Sequence, residues 1–213
     1  MKYIYKNVKI GENARIEECV FIGCPPCGKT EGELETVIGD DCVIRSGTVI
    51  YAGNIIGKNF QTGHNVVIRE ENRIGDDVSI GTLSCIEHHV EIQNKVRMHS
   101  QVFVPEYSVL EERCWIGPKV TMTNTFHPQC PGAKKCMKGP RIRKEAKIGA
   151  NTTILPDITI GEGAFIGAGS VVTKNIPEKK VACGNPARIG KYIHDLSCKY
   201  DLMDAPYGKN TKK

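Results

Sequence analysis

Only 6% of the 213 residues are aromatic, and tryptophan occurs once. A core of wide rings is therefore excluded, and packing must rest on medium-sized aliphatic side chains. No apolar run reaches the length of a membrane span, and the opening "MKYIYKNVKI" has no signal-peptide apolar core. A cytoplasmic protein is expected. Charge of one sign is also scarce, with 29 Lys and Arg against 24 Asp and Glu and a net charge of +5. Basic residues are not interleaved with aromatics, which argues against a nucleic-acid partner.

Glycine is plentiful, with 22 residues, and so is cysteine, with ten. The cysteines are scattered rather than framed as disulfide pairs, so reduced thiols are expected. Basic residues gather at Lys134, Lys135, Lys138, Arg141, Arg143, Lys144 and Lys147, and again at Lys174, Lys179, Lys180, Arg188 and Lys191. They read either as a solvated face with a basic tail or as a site for a phosphorylated ligand.

The dominant signal is a repeat of six. From Ile38 to Met122 an aliphatic residue returns every sixth position, with Thr62 as the one polar exception. A second run covers Ile142 to Val172, and a short one covers Ile10, Ile16 and Ile22. Neither helical nor hairpin periodicity yields six. A triangular coil does, with one short strand and one corner per hexad and three hexads per turn. Twenty-four hexads give about eight coils, a prism roughly 38 Å tall at a strand spacing near 4.8 Å. The expected fold class is all-β, a parallel β-helix over residues 1–185, followed at 186–213 by a short C-terminal helix and tail. The helix is placed in "RIGKYIHDLSCKY", and "DAPYGKNTKK" is expected to be disordered. Residues 23–37 and 123–141 break the register and read as extruded loops. Loops of that length in a compact solenoid point to function.

The hexad pattern closely resembles the hexapeptide-repeat acyltransferases, and the resemblance implies a left-handed coil. "IGPKVTMTNTFHP" is similar to the segment of galactoside- and maltose-type sugar acetyltransferases in which the His of the His-Pro pair is the catalytic base. It implies that His127 is that base. "KIGANTTILPDITIGEGAFIGAGSVVTKNIP" and "GNPAR" resemble the coenzyme A half of those enzymes. By that likeness Ala150 and Ala168 offer backbone groups to the pantetheine arm. Thr173 and Lys174 meet the adenosine side, and Arg188 meets the 3′-phosphate. "GHNVVIRE", "IGDDVSIG" and "IQNKV" are similar to stretches of the nucleotide-amino-sugar N-acetyltransferases. The implied activity is acetyl transfer from acetyl-CoA to the amine of a nucleotide-linked amino sugar, in a homotrimer. O-acetylation of a free sugar is the alternative within this chemistry.

The spacing adds its own candidates. Glu70, His88, Glu106 and Asn124 are each eighteen apart, so they should stack in one column. That column reads as a structural acid–base ladder or as a wall for the acceptor. His89 should lie between Glu71 and Tyr107. His99 should stack on Gly81 and Gly117, where room is left for an acceptor. An imidazole suits general-base work near neutrality. His127, Cys130 and Cys136 also have ligand spacing for zinc, with Cys24 and Cys27 able to complete a set. That metal-bearing reading, or a purely scaffolding β-helix, is the alternative of a different class.

Overall fold

The computed structural model describes residues 3–203 and 205–208. The chain winds as a three-sided prism of three parallel sheets of nine, eight and ten strands, the last ending in one antiparallel strand. One rung runs through Val67–Ile68, Arg73–Ile74 and Ser79–Ile80. The next rung lies eighteen residues on, so Ile68 pairs with Ile86 and Ile86 with Val104. There are nine rungs where the hexads suggest about eight. The added positions are the strand Tyr3–Ile4 at the start and, at the end, Ile176 and Lys180–Gly184, which close the last rung after Val171–Val172.

The register follows from burial. Every second strand residue points inward, and those of the aliphatic column from Ile22 to Val172 are almost wholly buried. Each such side chain contributes about 1.5–3 kcal/mol of apolar burial. The polar exception, Thr62, is fully satisfied. Its hydroxyl accepts the Arg45 N–H at 2.9 Å and lies 3.3 Å from the Thr48 hydroxyl. Buried Asn54 and Asn72 stack in the same manner, the side-chain Oδ1 of Asn54 accepting the backbone N–H of Asn72 at 3.0 Å. Among the described residues no buried side-chain nitrogen or oxygen lacks a partner.

Nearly every corner turns through one residue in the left-handed region. Asn and Asp fill many of these places, as at Asn59, Asn65, Asp77 and Asn151, where a short polar side chain tolerates that conformation. Leu83, His89, Lys95 and Tyr107 adopt it too, at about 1–2 kcal/mol each. Stacking offsets this strain. The N–H of many left-handed residues reaches the preceding rung, as Asp77 does to the Lys58 carbonyl at 2.9 Å and Lys95 to that of Asp76 at 2.8 Å.

The outward residues of the first face carry no charge from end to end: Tyr3, Phe21, Val49, Val67, Cys85, Phe103, Thr121, Thr153 and Val171. The second face presents Arg73, Glu91 and Arg141, and the third Arg15, Arg97 and Lys147.

Both register breaks leave the chain after a first-face strand. Phe21–Cys24 is followed by Thr36–Ile38 on the second face, and Thr121–Met122 by Arg141–Ile142. The two loops therefore emerge from the same edge of the prism, five strand layers apart. The second loop holds one 3-10 turn, Ala133–Lys135, and is tied at its base by the Lys138 N–H to the Asn124 carbonyl at 2.9 Å.

The C-terminal helix expected in "RIGKYIHDLSCKY" shrinks to a single 3-10 turn, Ile193–Asp195. The residues before it, Ala187–Tyr192, form a strand that pairs antiparallel with Lys180–Gly184. An open sheet edge offers that segment hydrogen bonds that an isolated short helix cannot match. Of the stretch expected to be disordered, residues 205–208 are described, and Tyr207 lies 5.9 Å from the Phe165 ring. The rest of that stretch lies outside the described residues. No helix of the described residues is long and apolar enough to cross a membrane.

Candidate functional site

The eighteen-residue column forms where spacing places it, on the edge between the first and second faces. Asn124 donates its side-chain N–H to Glu106 Oε2 at 2.7 Å, and His88 Nε2 lies 3.7 Å from Glu106 Oε1. Asn124 is 9% exposed, and its Oδ1 accepts the Thr125 hydroxyl at 3.0 Å. Both ends of the Asn124 amide are thus engaged at the root of the second loop. His89 lies between Glu71, at 3.7 Å, and the Tyr107 ring, at 5.8 Å. His88 and His89 meet each other through Nδ1 atoms 2.8 Å apart.

Glu70 is less free than its column position implies. Arg69 holds both its oxygens, at 2.9 and 3.0 Å, and also approaches Glu87 at 3.6 Å. Burial alone raises the Glu70 carboxyl. The Arg69 hydrogen bonds and the nearby positive charge outweigh burial and hold the carboxyl below the usual range. The Arg69 guanidinium packs over Tyr51, 4.9 Å from the ring centre. Spacing by eighteen misses Arg69 because it precedes Glu70 in the chain rather than stacking on it. The adjacent, oppositely charged pair "RE" is the signal that could have found it.

His127 is exposed on the second loop beside Phe126, itself 57% exposed, with ring centres 6.4 Å apart. Its carbonyl accepts the Cys130 N–H at 3.3 Å. Thr173 and Lys174 follow Val171–Val172 on this same edge, two rungs beyond the loop.

The edge between the third and first faces is different. Gly81, His99, Gly117, Gly149 and Gly167 stack there. A Cβ on Gly149 would come 2.5 Å from the Ala168 nitrogen, and one on Gly117 would come 2.7 Å from the Ala150 nitrogen. Only glycine leaves the rungs this close. His99 rests on the Trp115 ring at 4.8 Å, and burial followed by the charge of Arg97 lowers its pKa. Ala150 and Ala168 follow the glycines. At the corresponding positions of earlier rungs the N–H is taken by a side chain, as Ser46 by Glu17 at 3.0 Å and His64 by Thr82 at 3.2 Å. Among the described residues, the N–H groups of Ala150 and Ala168 meet no acceptor. Arg188 pairs with Cys183, which sits against Gly167. Arg188 therefore joins Ala150 and Ala168. His99 is set apart from the Glu70–Asn124 column by the width of the first face.

The cysteines of the two loops do not converge. Five strand layers put the loop roots roughly 24 Å apart, and among the described residues no group of three or more His, Cys, Asp or Glu is placed to hold a metal. Burial pushes the Cys114 thiol up to about 12 and the Cys85 thiol up to about 11.

An eighteen-residue coil, an aliphatic inner column and an edge of stacked glycines define a hexapeptide-repeat solenoid. The bacterial transferase hexapeptide (six repeats) model matches residues 139–174. The Bifunctional protein GlmU of Listeria welshimeri is 32% identical over 187 residues, covering 83% of this chain and 38% of that protein. Its counterpart from Carboxydothermus hydrogenoformans is 31% identical over 200 residues, covering 89% and 42%. The chain thus spans well under half the length of these curated relatives. Among solved structures, the UDP-N-acetylglucosamine acyltransferase of Francisella novicida superposes with a TM-score of 0.60 at 18% identity, covering 89% of this chain and 70% of that one. The chain belongs to the hexapeptide-repeat proteins, with the left-handed parallel β-helix as its fold.

Proposed function

We propose that the chain is a cytoplasmic acetyltransferase that uses acetyl-CoA and acetylates the amine of a nucleotide-linked amino sugar. It acts as a homotrimer. The observation that carries this reading is the division of labour between the two edges bounding the uncharged first face. One edge offers bare backbone N–H groups over a glycine stack, with Arg188 at its end. That suits an extended amide-bearing arm ending in phosphates. The other edge carries the polar column and the loop with His127. Ala150 and Ala168 of that edge lie within the 139–174 segment that matches the transferase hexapeptide model.

In one chain the two edges are separated by the face. A closed threefold arrangement with the first faces inward sets the loop edge of one chain beside the glycine edge of the next. Leu83 and Tyr107 support that packing. Each is a bulky apolar residue in a left-handed corner bordering the first face, and they are 55% and 47% exposed.

The chemistry follows. The acceptor amine attacks the thioester carbonyl while His127 takes its proton. The C–N bond forms, and the tetrahedral oxyanion collapses. The C–S bond then breaks, and the thiolate of coenzyme A leaves and takes a proton. A backbone N–H of the facing coil stabilises the oxyanion. Glu70, His88, Glu106 and Asn124 wall the acceptor side, with His99 near the reacting groups from the neighbouring chain. Ala150, Ala168 and Arg188 hold the donor on the glycine edge, and Thr173 and Lys174, on the loop edge, reach it from the neighbouring chain.

Thiol release from acetyl-CoA on addition of amino-sugar nucleotides tests this. His127→Ala should lower the rate roughly 10²–10⁴-fold. Full rate in that variant rejects the base, and no release with any amino-sugar nucleotide rejects the acceptor class.

A further inference from the structure

The glycine edge is bare in two places, not one. A Cβ on Gly63 would come 2.3 Å from the Thr82 nitrogen, and one on Gly81 would come 2.5 Å from the Ser100 nitrogen. Among the described residues these two N–H groups meet no acceptor. They repeat, earlier on the edge, what Ala150 does over Gly117 and Ala168 over Gly149. The rung between interrupts the series, because residue 118 is proline and has no N–H to offer. The His99 ring, leaning on Trp115, marks the same boundary.

The first bare stretch has its own cations. Arg45 reaches up one rung, where its guanidinium donates to the Thr62 carbonyl at 2.5 Å. Arg97 projects from the third face beside His99. It is exposed, and among the described residues its side chain makes no ion pair and no hydrogen bond. The two arginines and the two glycine corners enclose a notch of about 200 Å³, which Gln61 and Ser79 also line. No carboxylate lines it. Glu17, one rung before Arg45 on this edge, is turned to the Ser46 N–H at 3.0 Å.

A notch of that volume takes one group of a ligand rather than the whole of it. Two guanidinium groups, two free N–H groups and no acid make that group an anion. One carboxylate is matched by one guanidinium. Here the cations close opposite ends of a gap of two strand layers, roughly 10 Å. That suits an anion whose charged oxygens sit on two centres.

We propose that this notch seats the diphosphate of a nucleotide-linked acceptor, so that acceptor and donor lie end to end along one edge. Arg45 and Arg97 hold the acceptor at the N-terminal end, and Arg188 holds the donor at the C-terminal end. Amine and thioester meet between them, at the boundary that His99 and Pro118 mark. The nucleotide rests on the reaction proposed above, whereas the affinity for a diphosphate rests on the notch alone.

Calorimetric titration of the full chain with inorganic pyrophosphate, in saturating coenzyme A, tests the seat. One pyrophosphate per chain should bind, and about tenfold more weakly in Arg97→Gln, the loss expected for one hydrogen bond to a charged group. The urea midpoint of that variant should match wild type, since the side chain it replaces bonds nothing. Displacement of pyrophosphate by coenzyme A, or wild-type affinity in both Arg97→Gln and Arg45→Gln, overturns the proposal. Kinetics separate the seat from the reaction. In Arg97→Gln the KM for an amino-sugar nucleotide should rise about tenfold, with that for acetyl-CoA unchanged. Transfer with an unchanged acceptor KM rejects the seat and leaves the reaction standing. Pyrophosphate binding that Arg97→Gln weakens, in a chain that acetylates no amino-sugar nucleotide, rejects the reaction and leaves the seat.

Discussion

The two edges that bound the first face are built from the same corner, yet they carry opposite contents. On the edge between third and first faces, the position after the inward residue holds Glu17 and Arg45 on the early rungs and then Gly63, Gly81, Gly117, Gly149 and Gly167, interrupted by His99 on its tryptophan. On the edge between first and second faces that position holds Tyr51, Arg69, Glu87, Pro105 and Thr123. One edge keeps its side chains minimal and its backbone bare. The other is dense with charge and throws out both loops. A solenoid repeats its geometry but not its chemistry, so the location of a function shows in how one edge departs from another.

Substitution at matched positions sharpens the contrast most. Gly149→Ala puts a Cβ against the Ala168 nitrogen and the Ile166 carbonyl, so it should cost about 1–3 kcal/mol by overpacking. Thr123→Ala on the opposite edge removes one hydroxyl bond, to the Ile154 carbonyl at 3.1 Å, and should cost no more than about 1.5 kcal/mol. Urea midpoints of the two variants measure the difference, and equal losses would erase the distinction between the edges. Glu106→Ala comes next. It removes the partner of a nearly buried Asn124 amide, so a loss of about 1.5–3 kcal/mol, concentrated in the loop by hydrogen exchange, is expected.

A smaller effect separates the edges by acidity. His99 has its pKa lowered from 6.5 by burial and by Arg97. The folded state therefore resists its protonation. Stability is full above the ordinary value, declines as pH falls through 6.5, and levels off below the lowered folded value. Wild type should lose stability between pH 7.5 and pH 5.5 by slightly more than His99→Gln does in paired urea melts. The least effect is chemical. Native thiol labelling should spare Cys114, whose thiol is pushed up to about 12, and modify exposed Cys27, Cys130 and Cys183 first.

The period of six was enough to read the inner column, the stacking of His88 on Glu106 and the position of both loops, because burial repeats with the strand. It hid whatever departs from that period. The last rung closes through Ile176, only four residues after Val172, so a hexad count stops one coil short. Ile189, Tyr192 and Ile193 mimic helical spacing, but the free edge at Lys180–Gly184 draws their segment into a strand. The uncharged first face was legible all along in every third outward residue, from Val49 and Val67 through Thr121. The double grip of Arg69 on Glu70 and Glu87 was not, since it depends on side-chain direction at a corner.

The most direct measurement mixes two crippled chains. His127→Ala damages the loop edge, and Ala168→Arg obstructs the glycine edge. If the reacting groups meet across neighbouring chains, refolding the two variants together in equal amounts should restore about a quarter of the wild-type acetyl-transfer rate, because each mixed threefold ring contains one intact junction. No recovery, with mixed rings shown to form, contradicts the account.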